Sequence, residues 1–135
     1  MALFIPSVGE DQLLKQMLGV SVPGNQTLKL YVNNVTIADA SVAADFTEMT
    51  TLGYTAKTLT KTSWTVAQSG GVAEGLYAQQ TWTFSAGTAV TVYGYTIVDS
   101  TSGVLLWAEA FATPKVVQFA GDQIQITPRF TLSKV

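Results

Sequence analysis

The chain has 135 residues, seven Lys/Arg against nine Asp/Glu for a net charge of −2, and neither cysteine nor histidine. That composition excludes disulfides, thiol nucleophiles, thiolate or imidazole metal sites, Ser-His-Asp catalysis and a histidine pH switch. Charged residues make up 12% of the chain, about half the usual share of roughly 25%, and its length predicts a single domain, 1–135.

Residues 1–24 read differently from 25–135. Ala2-Leu3-Phe4-Ile5-Pro6 is an apolar arm, kept extended at Ile5 by the proline that follows. It has no basic residue ahead of it, so a secretory signal is not expected. Ser7-Val8-Gly9-Glu10 matches a capping box, predicting a helix over about 8–18. Leu13, Leu14, Met17 and Leu18 give that helix one apolar face, and Gly19 stops it.

From residue 25 the hydrophobic period changes to two. Thr27–Val32 alternates cleanly and ends at Asn33-Asn34. Thr36–Leu52 is irregular and predicts a long crossing connection. Strands are expected again at Tyr54–Thr60, Ser63–Ala67, Leu76–Phe84, Ala89–Asp99, Val104–Ala112, Val116–Phe119 and Gln123–Leu132. Pro128 interrupts the last one, which is therefore an edge or bent there. Gly70–Gly75 is glycine-rich without a P-loop Lys-Ser/Thr and predicts a mobile loop. About eight short antiparallel strands and one long connection describe an all-β sandwich or jelly roll with one short N-terminal helix and an extended arm.

No motif carries chemistry. Asp99–Gly103 fails the EF-hand pattern and reads as a hairpin turn. Asp39, Asp45 and Glu48 sit in a polar connection, where turn and cap roles outweigh a glycosidase pair. Glu109 shares strand parity with Leu105, Trp107 and Phe111, which allows a buried or interface carboxylate paired with a lysine or Arg129, or an edge-strand charge that blocks unwanted pairing. Trp64, Trp82 and Trp107 fit core positions better than a sugar platform. Tyr31, Tyr93 and Tyr95 are the candidates for an exposed or interface row. Six scattered lysines and one arginine give no basic footprint for nucleic acid, and no apolar run reaches the ~18 residues of a membrane span. A folded chain of 14.4 kDa exposes about 6,800 Å². Sixteen charged side chains cover less than a quarter of that, which suits a subunit covered by partners. The expectation is a protein without enzymatic activity or cofactor.

The order of segments GEDQLLKQML, LKLYVNN at 28–34, DFTEM at 45–49 and SWTV at 63–66, followed by YAQQTWTF at 77–84, VYGYTIVDSTSGVLLWAEAF at 92–111 and GDQIQITPRFTL at 121–132, resembles small structural proteins of tailed bacteriophages. Within them it is most similar to the jelly-roll capsid cement or decoration proteins. The resemblance spans almost the whole chain. It implies a virion protein on the capsid surface, made in the bacterial host cytoplasm, which clamps major capsid subunits and associates with itself as a dimer or trimer. It implies no catalytic residue. A tail or head-fibre component and a carbohydrate-binding jelly-roll module are the alternatives. The residues expected at the protein interface are Leu3, Phe4 and Ile5 of the arm and Leu13, Leu14, Met17 and Leu18 of the helix. Tyr31, Tyr93, Tyr95, Glu109 and Arg129 complete the set.

Overall fold

A computed structural model describes residues 3–133. One helix, α1 (Ser7–Met17), precedes nine strands: β1 (Gln26–Tyr31), β2 (Lys57–Leu59), β3 (Thr65–Ser69), β4 (Val72–Leu76), β5 (Gln80–Thr83), β6 (Val90–Asp99), β7 (Leu105–Val117), β8 (Gln123–Ile126) and β9 (Arg129–Ser133). They form three antiparallel sheets in the orders β2-β1-β6-β7, β3-β4-β9 and β5-β8. The expected all-β sandwich with one short helix is the fold.

Alternation explains the main core. Leu28 and Leu30 of β1, with Ile97 of β6 and Trp107 of β7, project from one face of the four-stranded sheet. They meet Trp82, Ile124 and Ile126 from the β5-β8 pair, and Phe130 of β9 packs against the same cluster. Residues 70–75 are mostly strand rather than a mobile loop. Gly70 and Gly71, at φ 58° and 81°, form a two-residue hairpin turn, the conformation that such turns require and glycine adopts freely. Pro128 splits the last predicted strand: β8 pairs with β5, whereas β9 pairs with β4. The buried Pro128 offers its carbonyl to the Tyr77 N–H at the corner between them.

The opposite face of the four-stranded sheet carries a second, smaller core of Tyr31, Phe46, Val98, Leu105 and Ala108, with Val8, Ile37 and Tyr93 against it. The long connection after β1 supplies its cover. Phe46 meets Tyr31 edge-to-face at 4.9 Å.

The arm does not stand free of the sandwich. Phe4 and Ala108 exchange both backbone hydrogen bonds, at 3.0 and 2.9 Å, across the free edge of β7. Leu3 and Ile5 pack on the main core. An edge strand leaves its N–H and C=O groups unpaired, and an apolar arm that also bonds them satisfies both needs. The buried Pro6, in extended geometry, is the N-cap of α1, so Ser7 begins the helix rather than capping it and no capping box forms. The Ser7 N–H donates to the Asp39 carbonyl instead. At the other end Gly19 (φ 74°) donates to Gln16 and Val20 to Lys15, closing the helix in a Schellman motif.

Candidate assembly interface

The helix is held by its least hydrophobic side. Gly9 lies directly on β7: a Cβ there would fall 2.2 Å from the Leu106 carbonyl oxygen. One turn on, the buried Gln12 donates to the Asp99 carboxylate at 3.0 Å. Asp99 also accepts from the Ser102 hydroxyl at 2.8 Å and the Thr101 N–H at 3.1 Å. A buried carboxylate with three donors is compensated, and it ties α1 to the β6–β7 hairpin.

This docking turns the apolar residues outward. Leu13 is half-buried, whereas Leu14 and Met17 are 51% and 75% exposed and Leu18 is open as well. Ile5, Leu13, Leu14 and Met17 wall one side of an apolar groove of about 520 Å³, with Phe130 and the 60%-exposed Leu132 of β9 on the other side. Among the described residues Glu10 is the only charged one on its lining. Past Leu13 and Phe130 the groove leads to a smaller hollow of about 190 Å³ over Trp64, Val66 and Trp107. Trp64 is fixed there by its indole N–H donating to Gln26 Oε1 at 2.9 Å.

Four of the residues expected at an interface, Ile5, Leu13, Leu14 and Met17, are therefore brought together, with Leu18 just beyond them. Phe130 and Leu132 join them although the alternation of Gln123–Leu132 reads both as inward. The break at Pro128 moves them onto a different sheet, and that proline was the available signal.

The tyrosines do not form an exposed row. Tyr31 and Tyr95 are buried, and Tyr93 is half-buried in the second core. β6 and β7 lose register twice. Tyr93 faces the four residues Phe111 to Pro114 between the pairs Val92–Lys115 and Gly94–Ala110, and Leu106 is extra opposite Ile97 and Val98. A bulge reverses side-chain parity, so Tyr93 and Tyr95 point to opposite faces although two residues apart. Gly94 is needed at this point. A Cβ would lie 2.1 Å from the Glu109 carbonyl oxygen and 2.5 Å from the Tyr31 hydroxyl.

Among the described residues Glu109 pairs with neither a lysine nor Arg129. Its carboxylate accepts from the Tyr95 hydroxyl directly across the ladder. Arg129 instead bonds Glu74 of β4 at 2.7 Å. Burial pushes the Tyr31 hydroxyl up to about 12, and Glu109 adds to the effect. Burial and the bond to Glu109 push Tyr95 up further. No cluster of three or more Asp/Glu with metal-binding geometry occurs among the described residues. No helix among them is long and apolar enough to cross a membrane.

Outward apolar grooves occur where proteins meet partners, membranes or ligands, and the comparison with known families bears on the class of protein. Residues 7–130 match the family described as Podophage GP4 fiber I protein gp80. The chain belongs to this family. It is a phage virion structural protein, as the sequence resemblance implied. The fibre alternative fits this membership at least as well as the capsid-cement reading. No curated protein matches the sequence.

Proposed function

We propose that the protein is a structural subunit of a podophage fibre, working by being built into the virion and not by catalysis. Membership of a fibre-protein family over residues 7–130 is the observation that carries this reading. The groove of Ile5, Leu13, Leu14, Met17, Phe130 and Leu132 supports it, because a monomer gains nothing from exposing such side chains. Burying the exposed Leu14, Met17 and Leu132 contributes up to about 1.5–3 kcal/mol each before ordering costs, and repeated copies multiply the effect. The role needs no cofactor, nucleic acid or lipid; its partners are other virion proteins and further copies of itself.

A decoration protein on the capsid surface, bound to the major capsid protein, would use the same physics at a different place on the particle. Gold-labelled antibody against the purified protein, imaged on intact particles by electron microscopy, separates the two. Label on fibres is the expected result. Label spread evenly over the shell overturns the fibre reading in favour of the decoration one.

A further inference from the structure

The groove has a second property besides being apolar: one of its walls is an open sheet edge. β9 is the last strand of β3-β4-β9, with β4 on one side and no strand on the other among the described residues. Edge strands are commonly protected by lysine, proline, a bulge or a covering element. β9 reads Arg129-Phe130-Thr131-Leu132-Ser133 and has none of these within it. Its only charge, Arg129, is drawn back to Glu74 on its own sheet.

We propose that two copies of this chain join through β9, the two strands running antiparallel about a two-fold axis at Thr131. Each copy's groove then takes the apolar side of the other's strand. The inference deepens the reading of the groove as an assembly surface and names its occupant; it holds on a fibre or on a shell.

Self-complementarity argues for a second copy. A channel between a helix and a strand edge accepts an extended segment with apolar side chains on alternate positions. β9 is itself such a segment, with Phe130 and Leu132 on the groove side and Arg129 and Thr131 on the other. Register is then determined. Centring on Thr131 is the one antiparallel arrangement that pairs all five residues of β9, and it sets Phe130 of each copy beside Leu132 of the other. Among the five paired residues no two like charges face each other. An isologous contact of this kind closes on itself and leaves no further edge at β9.

The area agrees. Leu14, Met17 and Leu132 are 51%, 75% and 60% exposed, which amounts to roughly 400 Å² of apolar surface, within the ~300–600 Å² of the largest, often functional, patch on a monomer. The half-buried Ile5, Leu13 and Phe130 and the backbone edge of β9 extend it toward the ~800 Å² per partner of a standard interface.

The absence of cysteine makes the register testable. Directly opposed residues in an antiparallel pair have Cβ atoms about 4.5–5.5 Å apart, close to disulfide reach. Thr131→Cys is expected to cross-link into a dimer under mild oxidation at least tenfold faster than Thr88→Cys, which places its thiol on the exposed turn between β5 and β6. Light scattering of the unmodified protein should give a dimer at micromolar concentration. Met17→Glu should weaken that dimer at least tenfold, with an unchanged thermal melt under dilute, monomeric conditions, because Met17 is three-quarters exposed. A monomer at 100 μM overturns the proposal. So does a dimer in which the two cysteine variants cross-link at equal rates, which would mean joining through another surface. Both readouts use purified protein, so they stand apart from the labelling of particles.

Discussion

The two sides of α1 divide their work in an unusual way. The side against the body holds Gly9 and Gln12, a residue without a side chain and an amide, and both are buried. The side facing away holds Leu14 and Met17. In most surface helices the apolar stripe is the anchor. Here close backbone contact at Gly9 and a buried hydrogen-bond network at Gln12 anchor the helix, with Val8 and Leu13 packed beside them on the two cores, and Leu14 and Met17 are left facing outward. Anchoring and the proposed association are thus assigned to different sides of one eleven-residue helix, and substitutions should affect one without the other.

The largest effect should come from the anchor. Gly9→Val places side-chain atoms where the Leu106 and Leu105 carbonyls already lie, and backbone cannot yield as a side chain does. The expected loss is about 3 kcal/mol, read as a fall in melting temperature together with loss of helix signal in circular dichroism. A smaller change would mean that α1 has freedom to lift from β7. Next is Asp99→Ala, which leaves the buried Gln12 amide and the Ser102 hydroxyl without their acceptor. About 2 kcal/mol is expected, measured by urea denaturation, with Asp99→Asn retaining part of it.

Tyr95→Phe, on the body side of the contrast but away from the helix, should cost about 1 kcal/mol by removing the donor to Glu109. It should also change the response to alkali. The folded state holds the Tyr31 and Tyr95 protons above the ordinary tyrosine value of 10.0. Their contribution is complete below pH ~10 and is lost as the unfolded chain ionises above it. Stability should therefore fall between pH 10 and 12, and less steeply in Tyr95→Phe; an equal fall in unfolding free energy from pH 9 to pH 11 in the two proteins, measured by urea denaturation, would contradict this. The smallest effect is expected from the outward side. Leu14→Ser with Met17→Ser should shift stability by less than ~0.5 kcal/mol under dilute, monomeric conditions. A loss comparable to that of Asp99→Ala would erase the distinction between the two sides.

The same helix shows what could be read from the chain and what could not. Its position, its stop at Gly19 and the apolar character of Leu13, Leu14, Met17 and Leu18 are local properties, and all are visible in the sequence. Which face turns inward is not local. It depends on the carbonyls of Leu105 and Leu106, about 100 residues away, where only a glycine fits. Strand positions were legible wherever alternation was unbroken, as at Thr27–Tyr31. Tyr31, Tyr93 and Tyr95 were misread because parity alone registers neither a bulge at Gly94 nor a connection that covers the second face of a sheet. Glu109 met Tyr95 rather than Arg129 because cross-strand register, not charge, brings the pair together. The phage-structural character was legible from the order of segments along the chain, which survives such local errors.

The backbone bridge between Phe4 and Ala108 has a consequence for synthesis. These residues are about 100 positions apart, so at roughly 5–20 residues per second the arm leaves the ribosome some 5–20 s before its strand does. Through that interval Leu3, Phe4 and Ile5 have no β7 to lie on, and Gly9 has no carbonyl beneath it. The arm therefore stays uncovered for longer than the strands made after it. Host chaperones that hold apolar segments would find their target there, and slower translation would lengthen their opportunity.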